Sequence, residues 1–229
     1  MIRKLMFLAA LAVLPMLAQT TARRGYIAAY GEASVSVRPD MATVNLGVLT
    51  TAQSATDAAA KNADQAAAVI AALRTVLGAG AEIRTVNYSV GPTYQYPPGG
   101  GQPVLTGFQV TNIVQATIND TALIGRVIDA GITAGANRID GISFGLKDED
   151  PVRAQALRAA AQKARQKADS IAGGLGVRTG AVIAADEGYQ SSRVATTTER
   201  VGLAAAATPI ETGTMTVRAT VTLQLEVVQ

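Results

Sequence analysis

The sequence contains no cysteine, histidine or tryptophan, and only 16% of its 229 residues are charged. Without cysteine there is no disulfide, thiolate nucleophile, cysteine-bound zinc ion or iron–sulfur cluster. Without histidine there is no imidazole base, no histidine-ligated metal and no ordinary Ser-His-Asp triad. These absences exclude most common hydrolase and metalloenzyme designs. We therefore expect a protein that is not an enzyme, with no catalytic, cofactor-binding or metal-binding residues.

Long apolar runs are also scarce, and the clearest one lies near the start, at residues 5–18. Arg3 and Lys4 precede it, and a basic start followed by a short apolar run is typical of a secretory signal peptide. The run is shorter than the ~20 residues that a membrane-spanning helix needs. We predict a signal peptide over residues 1–22 with cleavage near Ala22, and an N-terminal membrane anchor is the alternative.

Removing the signal peptide leaves the charge almost balanced. Arg3 and Lys4 leave with it, which lowers the formal net charge from +3 to +1. The remaining basic residues are spread along the chain, and aromatic residues make up only 4% of it, so no stacking platform for bases is visible. We expect no nucleic-acid partner. Export without cysteine favours a bacterial periplasm over eukaryotic extracellular space, where small domains are usually disulfide-rich.

Hydrophobic periodicity predicts alternating groups of strands and helices. Ala42, Val44, Leu46 and Val48 alternate with polar residues, which is typical of a half-buried strand. The pattern along the chain reads strand, strand, helix, strand, strand, helix, strand, helix, strand, strand. Neighbouring strands and few β-α-β units predict an α+β fold, with antiparallel-rich sheets packed by two or three helices. We predict one domain over residues 23–229 and leave open whether it has two lobes.

Two helices have clear sequence signals. Residues 54–57 form a capping box, and a helical stripe follows it at Ala59, Asn62, Ala66, Val69, Leu73 and Val76. The longest helix opens at Asp150-Pro151, where proline is tolerated in the first turn. Its predicted packing stripe is Ala154, Leu157, Ala161, Ala164, Ala168, Ile171 and Leu175.

The end of the sequence has the strictest alternation. Seven apolar residues occupy every second position from Met215 to Val227, which predicts a long strand with one buried face. Before it, residues 190–209 are rich in serine, threonine and alanine and are predicted to form a mobile loop. The small-residue stripe of the long helix and this final strand could each serve packing within the chain or self-association.

Several short motifs suggest chemistry that their context does not support. Residues 141–145 read Gly-x-Ser-x-Gly, as at a nucleophile elbow, but they lie in an alternating segment with no histidine to activate Ser143. Lys147 is too far along an extended strand to replace it. Asp148, Glu149 and Asp150 lack the spacing of a calcium loop and are expected to stabilise the start of the long helix.

Tyr88, Tyr94 and Tyr96 cluster beside the proline- and glycine-rich loop at residues 97–103. Aromatic rings of this kind can stack on sugars or on a partner chain. The simpler interpretation is that they cover the end of a sheet. We treat them as candidate ligand or partner contacts.

The order of several short segments resembles that of the SIMPL-domain family, which includes bacterial periplasmic immunogenic proteins. The matching segments are Gly31-Glu32-Ala33, residues 37–42, Leu46-Gly47-Val48, Ile83-Arg84-Thr85, Tyr94-Gln95-Tyr96, residues 107–112, Gly135-Ala136-Asn137, Phe144, residues 164–168 and Gly176. The resemblance extends from about Tyr26 to the end of the sequence. It implies a periplasmic α+β protein without an established catalytic site. It also implies links to oxidative-stress tolerance and, in some relatives, ring-like or channel-like oligomers.

Taken together, these observations predict a non-enzymatic periplasmic protein that forms homo-oligomers and supports envelope or oxidative-stress homeostasis. Association with the cell envelope is part of this expectation. The alternative is a periplasmic module that binds a ligand or glycan through Tyr88, Tyr94 and Tyr96.

Overall fold

The computed structural model describes residues 25–188, 193–195 and 210–229, with the backbone alone at residues 193–195. The predicted signal peptide lies outside the described residues. So does the predicted loop at residues 190–209, apart from a three-residue strand within it. In the part of the chain that is described, no helix is both long and apolar enough to cross a membrane.

Three helices and eight strands make up the described fold, which confirms the predicted α+β class. The helices are α1 (Ala55–Leu77), α2 (Ile124–Thr133) and α3 (Asp150–Gly174), and a 3₁₀ turn at Thr121–Leu123 precedes α2. The strands are β1 (Tyr26–Val37), β2 (Met41–Ala52), β3 (Ile83–Gln95), β4 (Val104–Ile118), β5 (Arg138–Gly145), β6 (Arg178–Gly188), β7 (Arg193–Ala195) and β8 (Thr214–Val228).

The strands form two four-stranded antiparallel sheets. Sheet A has the order β1-β8-β6, and β7 also pairs with β8. Sheet B has the order β3-β4-β2-β5. Sheet B is built from consecutive parts of the chain, whereas sheet A joins strands from its two ends. The first strand therefore pairs with the last, and Tyr26 lies opposite Glu226.

Sheet B packs against α1 and α2. Ser54 caps α1 as predicted, since its Oγ accepts a hydrogen bond of 3.1 Å from the Asp57 amide. The buried face of α1 is close to the predicted stripe, although Ala58 is buried in place of Ala59. The core of this sheet is made of apolar residues from β2, α1, β4 and α2, among them Leu46, Leu73, Ile118 and Ile128.

Sheet A packs against α3, through a row of alanines that differs from the predicted stripe. The buried residues of α3 are Ala156, Ala160, Ala164, Ala168 and Ala172. The prediction was right for Ala164 and Ala168 but wrong for Ile171 and Leu175, which are exposed. Residues four apart form a ridge inclined to the helix axis, and this ridge lies on the sheet. Alanine along the whole ridge lets the helix approach β1 and β8 closely.

β1 is longer than its sequence pattern indicates, because its buried side is made largely of small residues. Ile27, Ala29, Gly31 and Ala33 face the core there. A row of alanine and glycine gives only a weak alternation signal.

A short bend at Arg38-Pro39-Asp40 connects the two sheets. β1 ends at Val37 and β2 begins at Met41. Asp40 fixes the bend, because its amide donates to the Gly145 carbonyl at 3.2 Å and its carboxylate accepts from the Lys147 amide at 2.8 Å. A third, smaller apolar cluster of Leu146, Met215 and Val217 lies beside this junction, with Val37 and Val152 packed against it.

Candidate functional site

The three candidate tyrosines lie on the exposed hairpin formed by β3 and β4. Tyr88 and Tyr94 are in β3, and Tyr96 follows directly after it. Their exposed fractions are 53%, 50% and 73%. β3 is the edge strand of sheet B and pairs with β4 alone among the described strands. The rings are therefore accessible from solvent, and they remain candidate contacts.

A bulge sets the direction of Tyr88. Thr85 pairs with Val114 and Asn87 with Ile113, so Val86 is an extra residue without a partner in β4. After the bulge, Tyr88 pairs with Asn112 and Val90 with Val110. Paired residues point to the same face of a sheet. Tyr88 and Val90 therefore lie on the face that carries α1, where each is about half exposed.

Tyr88 and Tyr94 do not converge on one small site. Six residues of extended chain separate them, which corresponds to about 20 Å at a rise of ~3.3 Å per residue. A single sugar ring is much shorter than this distance. A ligand that contacts both rings has to be an extended chain or the surface of another macromolecule.

A polar groove of about 750 Å³ lies between α1, the end of β2 and the part of the β3–β4 hairpin next to its turn. Its charged lining groups are Asp57, Lys61 and Asp64 of α1, and its hydroxyl groups include those of Thr51, Thr93 and Thr106. Carboxylates, an ammonium group and hydroxyls can hydrogen-bond a polyhydroxylated or zwitterionic molecule. The sequence analysis missed this groove, because its residues come from three separate segments and form no motif.

Tyr30, on the outer side of sheet A, is tied into a charged network that the sequence analysis also missed. Its hydroxyl donates to Glu32 at 3.0 Å, and Glu32 forms an ion pair of 3.1 Å with Arg218. The hydrogen bond to Glu32 raises the pKa of Tyr30, and desolvation adds to the rise. Lys167 of α3 donates to the Tyr30 carbonyl at 2.6 Å and lies 5.4 Å from the centre of its ring. This network fixes α3 to β1.

The motifs that resemble catalytic or metal sites lie in a strand and at the start of a helix. Ser143 lies inside β5, opposite Thr43 of β2, which confirms the predicted strand. Asp148 accepts a hydrogen bond of 3.0 Å from the amide of Asp150 and so caps the start of α3. No group of three or more carboxylates that could hold a metal ion is found among the described residues.

Two buried side-chain oxygens lie beneath α1 without a hydrogen-bond partner in the described structure. They are Oδ1 of Asn62 and Oδ1 of Asn112. The other end of the Asn62 amide is used, because Nδ2 donates to the Val48 carbonyl at 2.8 Å. Val48 is also the β2 partner of Asn112. The two amides thus form a polar spot between α1 and the centre of sheet B.

The fold and these sites define a class of two-sheet α+β proteins whose exposed features are an apolar hairpin and a polar groove. The chain belongs to the SIMPL family, described as proteins of unknown function (DUF541), whose model matches residues 27–225.

Relatives of the chain include the 26 kDa periplasmic immunogenic protein of Brucella melitensis, which is 29% identical over 174 residues. That match covers 74% of this chain and 69% of the relative. The uncharacterized protein YggE of Escherichia coli (strain K12) is 29% identical over 157 residues, covering 69% of this chain and 63% of the relative.

Proposed function

We propose that this chain is a non-enzymatic periplasmic protein that self-associates and supports envelope or oxidative-stress homeostasis. The names of the Brucella relatives include the word periplasmic. The predicted signal peptide at residues 1–22 agrees with that compartment. The lack of cysteine and histidine in the sequence supports a role other than catalysis.

The observation that carries self-association is the exposed apolar surface of the β3–β4 hairpin. The exposed apolar and aromatic side chains of this hairpin are Val86, Tyr88, Val90, Tyr94, Tyr96, Val104 and Leu105. Many exposed apolar residues on one hairpin are typical of an interaction surface in soluble proteins. Aromatic residues are enriched at the centres of such interfaces, and three of these residues are tyrosines.

Self-association can be tested on the purified mature chain by size-exclusion chromatography with light scattering. We expect a mass that is a multiple of one chain at micromolar concentration. A mass of one chain across the whole concentration range would contradict the proposal.

The location and physiological role need a separate experiment in the source cell. We expect the tagged protein in the fraction released by osmotic shock. We also expect a deletion strain to lose viability under peroxide, and the wild-type gene to restore it. A tagged protein retained in the cytoplasm, or a deletion strain as resistant as its parent, would contradict that part of the proposal.

The second candidate is a module that binds a ligand or glycan through the Tyr88, Tyr94 and Tyr96 region. The groove favours it, since hydroxyl and charged groups line it and one of its residues, Thr93, precedes Tyr94 in β3. Soluble cell-wall glycan fragments are the probe. A ligand at 100 times its dissociation constant stabilises the folded protein by ~2.7 kcal/mol. A rise in Tm that Lys61→Ala removes would support binding in the groove, and an unchanged Tm would contradict it.

A further inference from the structure

Among the described strands, three of the four that lie at the outer edges of the sheets carry features that hinder pairing with another strand. Lys167 occupies a carbonyl of β1 with its ammonium group. β6 has two register shifts and two acidic residues, Asp186 and Glu187. β5 is only eight residues long, and its pairing with β2 is interrupted between Asn45 and Leu46. Charged side chains, bulges and short length are the usual protections of an edge strand.

β3 also has irregularities, namely Pro92 and register shifts at Val86 and between Thr93 and Tyr94, but it is the longest of these four edge strands and has a long uncharged stretch. It is 13 residues long, and every residue except Ile83, Gly91 and Thr93 is exposed. Arg84 is its only charged residue, and the guanidinium already donates to Oε1 of Gln115 at 3.0 and 2.8 Å. The free side of this strand therefore presents main-chain N–H and C=O groups between uncharged side chains. A long, uncharged and exposed edge is a template for pairing with another strand.

We propose that β3 pairs antiparallel with β3 of a second copy, about a two-fold axis that passes through Ser89. This inference rests on the proposed self-association and identifies its surface. The pairing joins two copies of sheet B into one sheet of eight strands. Because residues 85–95 carry no charge, a two-fold copy brings no like charges together along this stretch. A symmetric pair uses the same surface on both copies, as most homodimers do.

The position of the axis is chosen from the bulge at Val86 and from Pro92. An axis at Ser89 places Pro92, which has no N–H to donate, opposite Val86, the extra residue of the bulge. Pro92, which cannot donate a hydrogen bond, then lies opposite the residue that interrupts the pairing of β3 with β4. The same axis places Tyr88 opposite Val90, an aromatic and β-branched pair that stabilises cross-strand contact. The Tyr88–Val90 pair lies on the face that carries α1, so these exposed side chains become covered.

Cysteine cross-linking tests the axis directly, because the chain contains no other cysteine. In Ser89→Cys the two thiols face each other across the axis. Directly opposite residues of antiparallel strands have Cα atoms about 4.5–5.5 Å apart, which lies within the range for a disulfide. We expect mild oxidation to convert most of this variant into a covalent dimer. Ser170→Cys, an exposed position on α3, is the matched control and is expected to remain uncrosslinked.

A charge placed next to the axis provides an independent test. In Val90→Lys, two ammonium groups lie close to the axis, and we expect the dissociation constant of the dimer to rise at least tenfold. Val182→Lys is the control, since Val182 is also about half exposed and lies on another edge strand, β6. Light scattering gives the mass, and circular dichroism verifies that both variants are folded.

The results separate this inference from the proposed function. If the wild type associates but Ser89→Cys does not cross-link, the chain self-associates through another surface and the β3 pairing is wrong. Unchanged association of a folded Val90→Lys variant leads to the same conclusion. If the wild type is monomeric throughout, the proposed self-association fails, and the β3 pairing fails with it. Efficient cross-linking of Ser89→Cys alone supports the proposed axis even if Val90→Lys does not fold.

Discussion

Gly31 lies at the narrowest point between β1 and α3. A Cβ atom there would collide with the Ala160 carbonyl oxygen and would lie 2.5 Å from the Ala164 amide nitrogen. Both are main-chain atoms of the helix, so they cannot rotate away and the helix itself has to move. We expect Gly31→Ala to lower the free energy of unfolding by ~1–3 kcal/mol, the usual cost of overpacking. Urea denaturation measures this change.

Gly91→Ala is the matched control for that substitution. Gly91 is also a strand glycine, but a Cβ atom there meets nothing within 4 Å. We expect no loss of stability in this variant. An equal loss in both variants would show that contact with α3 is not the reason that residue 31 is glycine.

Tyr30 gives the folded protein a specific response to alkaline pH. Its hydrogen bond to Glu32 raises its pKa, so the bond stabilises the fold below the ordinary tyrosine pKa of about 10. This contribution is lost as the pH rises through the higher pKa of the folded state. We expect Glu32→Gln to lower the pKa of Tyr30, since the acceptor loses its charge. A pH titration of the assigned ring signals by NMR measures it.

Glu82→Gln is the control for the Tyr30 titration, because Glu82 lies next to sheet B and Tyr30 lies in sheet A. The pKa of Tyr30 should be the same in this variant as in the wild type. If Glu32→Gln also leaves it unchanged, the hydrogen bond to Glu32 is not its cause.

At the scale of the element, the packing of sheet A against α3 depends on the row of buried alanines along that helix. Ala164 is fully buried at the middle of this row. A leucine there has no space without separating α3 from β1 and β8, so we expect Ala164→Leu to lower the free energy of unfolding by ~1–3 kcal/mol or more. Gln166→Leu adds the same side chain on an exposed position of the same helix and is expected to change stability little. Similar losses in both variants, measured by thermal unfolding, would contradict this account of the row.

Elements of the fold differ in how far their sequences predict them. β8 was predicted well because its alternation continues without a break from Met215 to Val227. The packing face of α3 was predicted poorly, since alanine gives a weak hydrophobic signal and Ile171 gives a strong one on the exposed side. The bulge at Val86 has no local signal, and it decides the direction of Tyr88. The sequence therefore identified the candidate tyrosines but could not place them on a face.

Two separate hydrophobic cores organise the molecule as a whole. Leu225 belongs to the core of sheet A and Leu46 to that of sheet B, and both are fully buried. We expect either leucine-to-alanine substitution to cost ~2–5 kcal/mol. We also expect Leu225→Ala to lower hydrogen-exchange protection mainly in sheet A, and Leu46→Ala mainly in sheet B. Equal losses in both sheets from each variant would show one cooperative unit.

At the same scale, the fold class could be predicted but the partners of the strands could not. Alternation and helix caps are local signals, and they gave the order of elements. Pairing of Tyr26 with Glu226 depends on contacts between distant parts of the chain, which periodicity does not encode. The polar groove was missed for the same reason, since Thr51, Lys61 and Thr106 meet only in the folded structure.

The central place of β8 in sheet A makes an intact final segment a condition of folding. β1 and α3 both precede β8 in the chain, so sheet A lacks its central strand until the last segment joins it. Until then the alanine row of α3 has no finished sheet to cover it. A chain that is cut before Thr214 keeps this row and β1 exposed, and such surfaces are what quality-control proteases recognise. The order of strands thus makes the integrity of sheet A depend on its last strand.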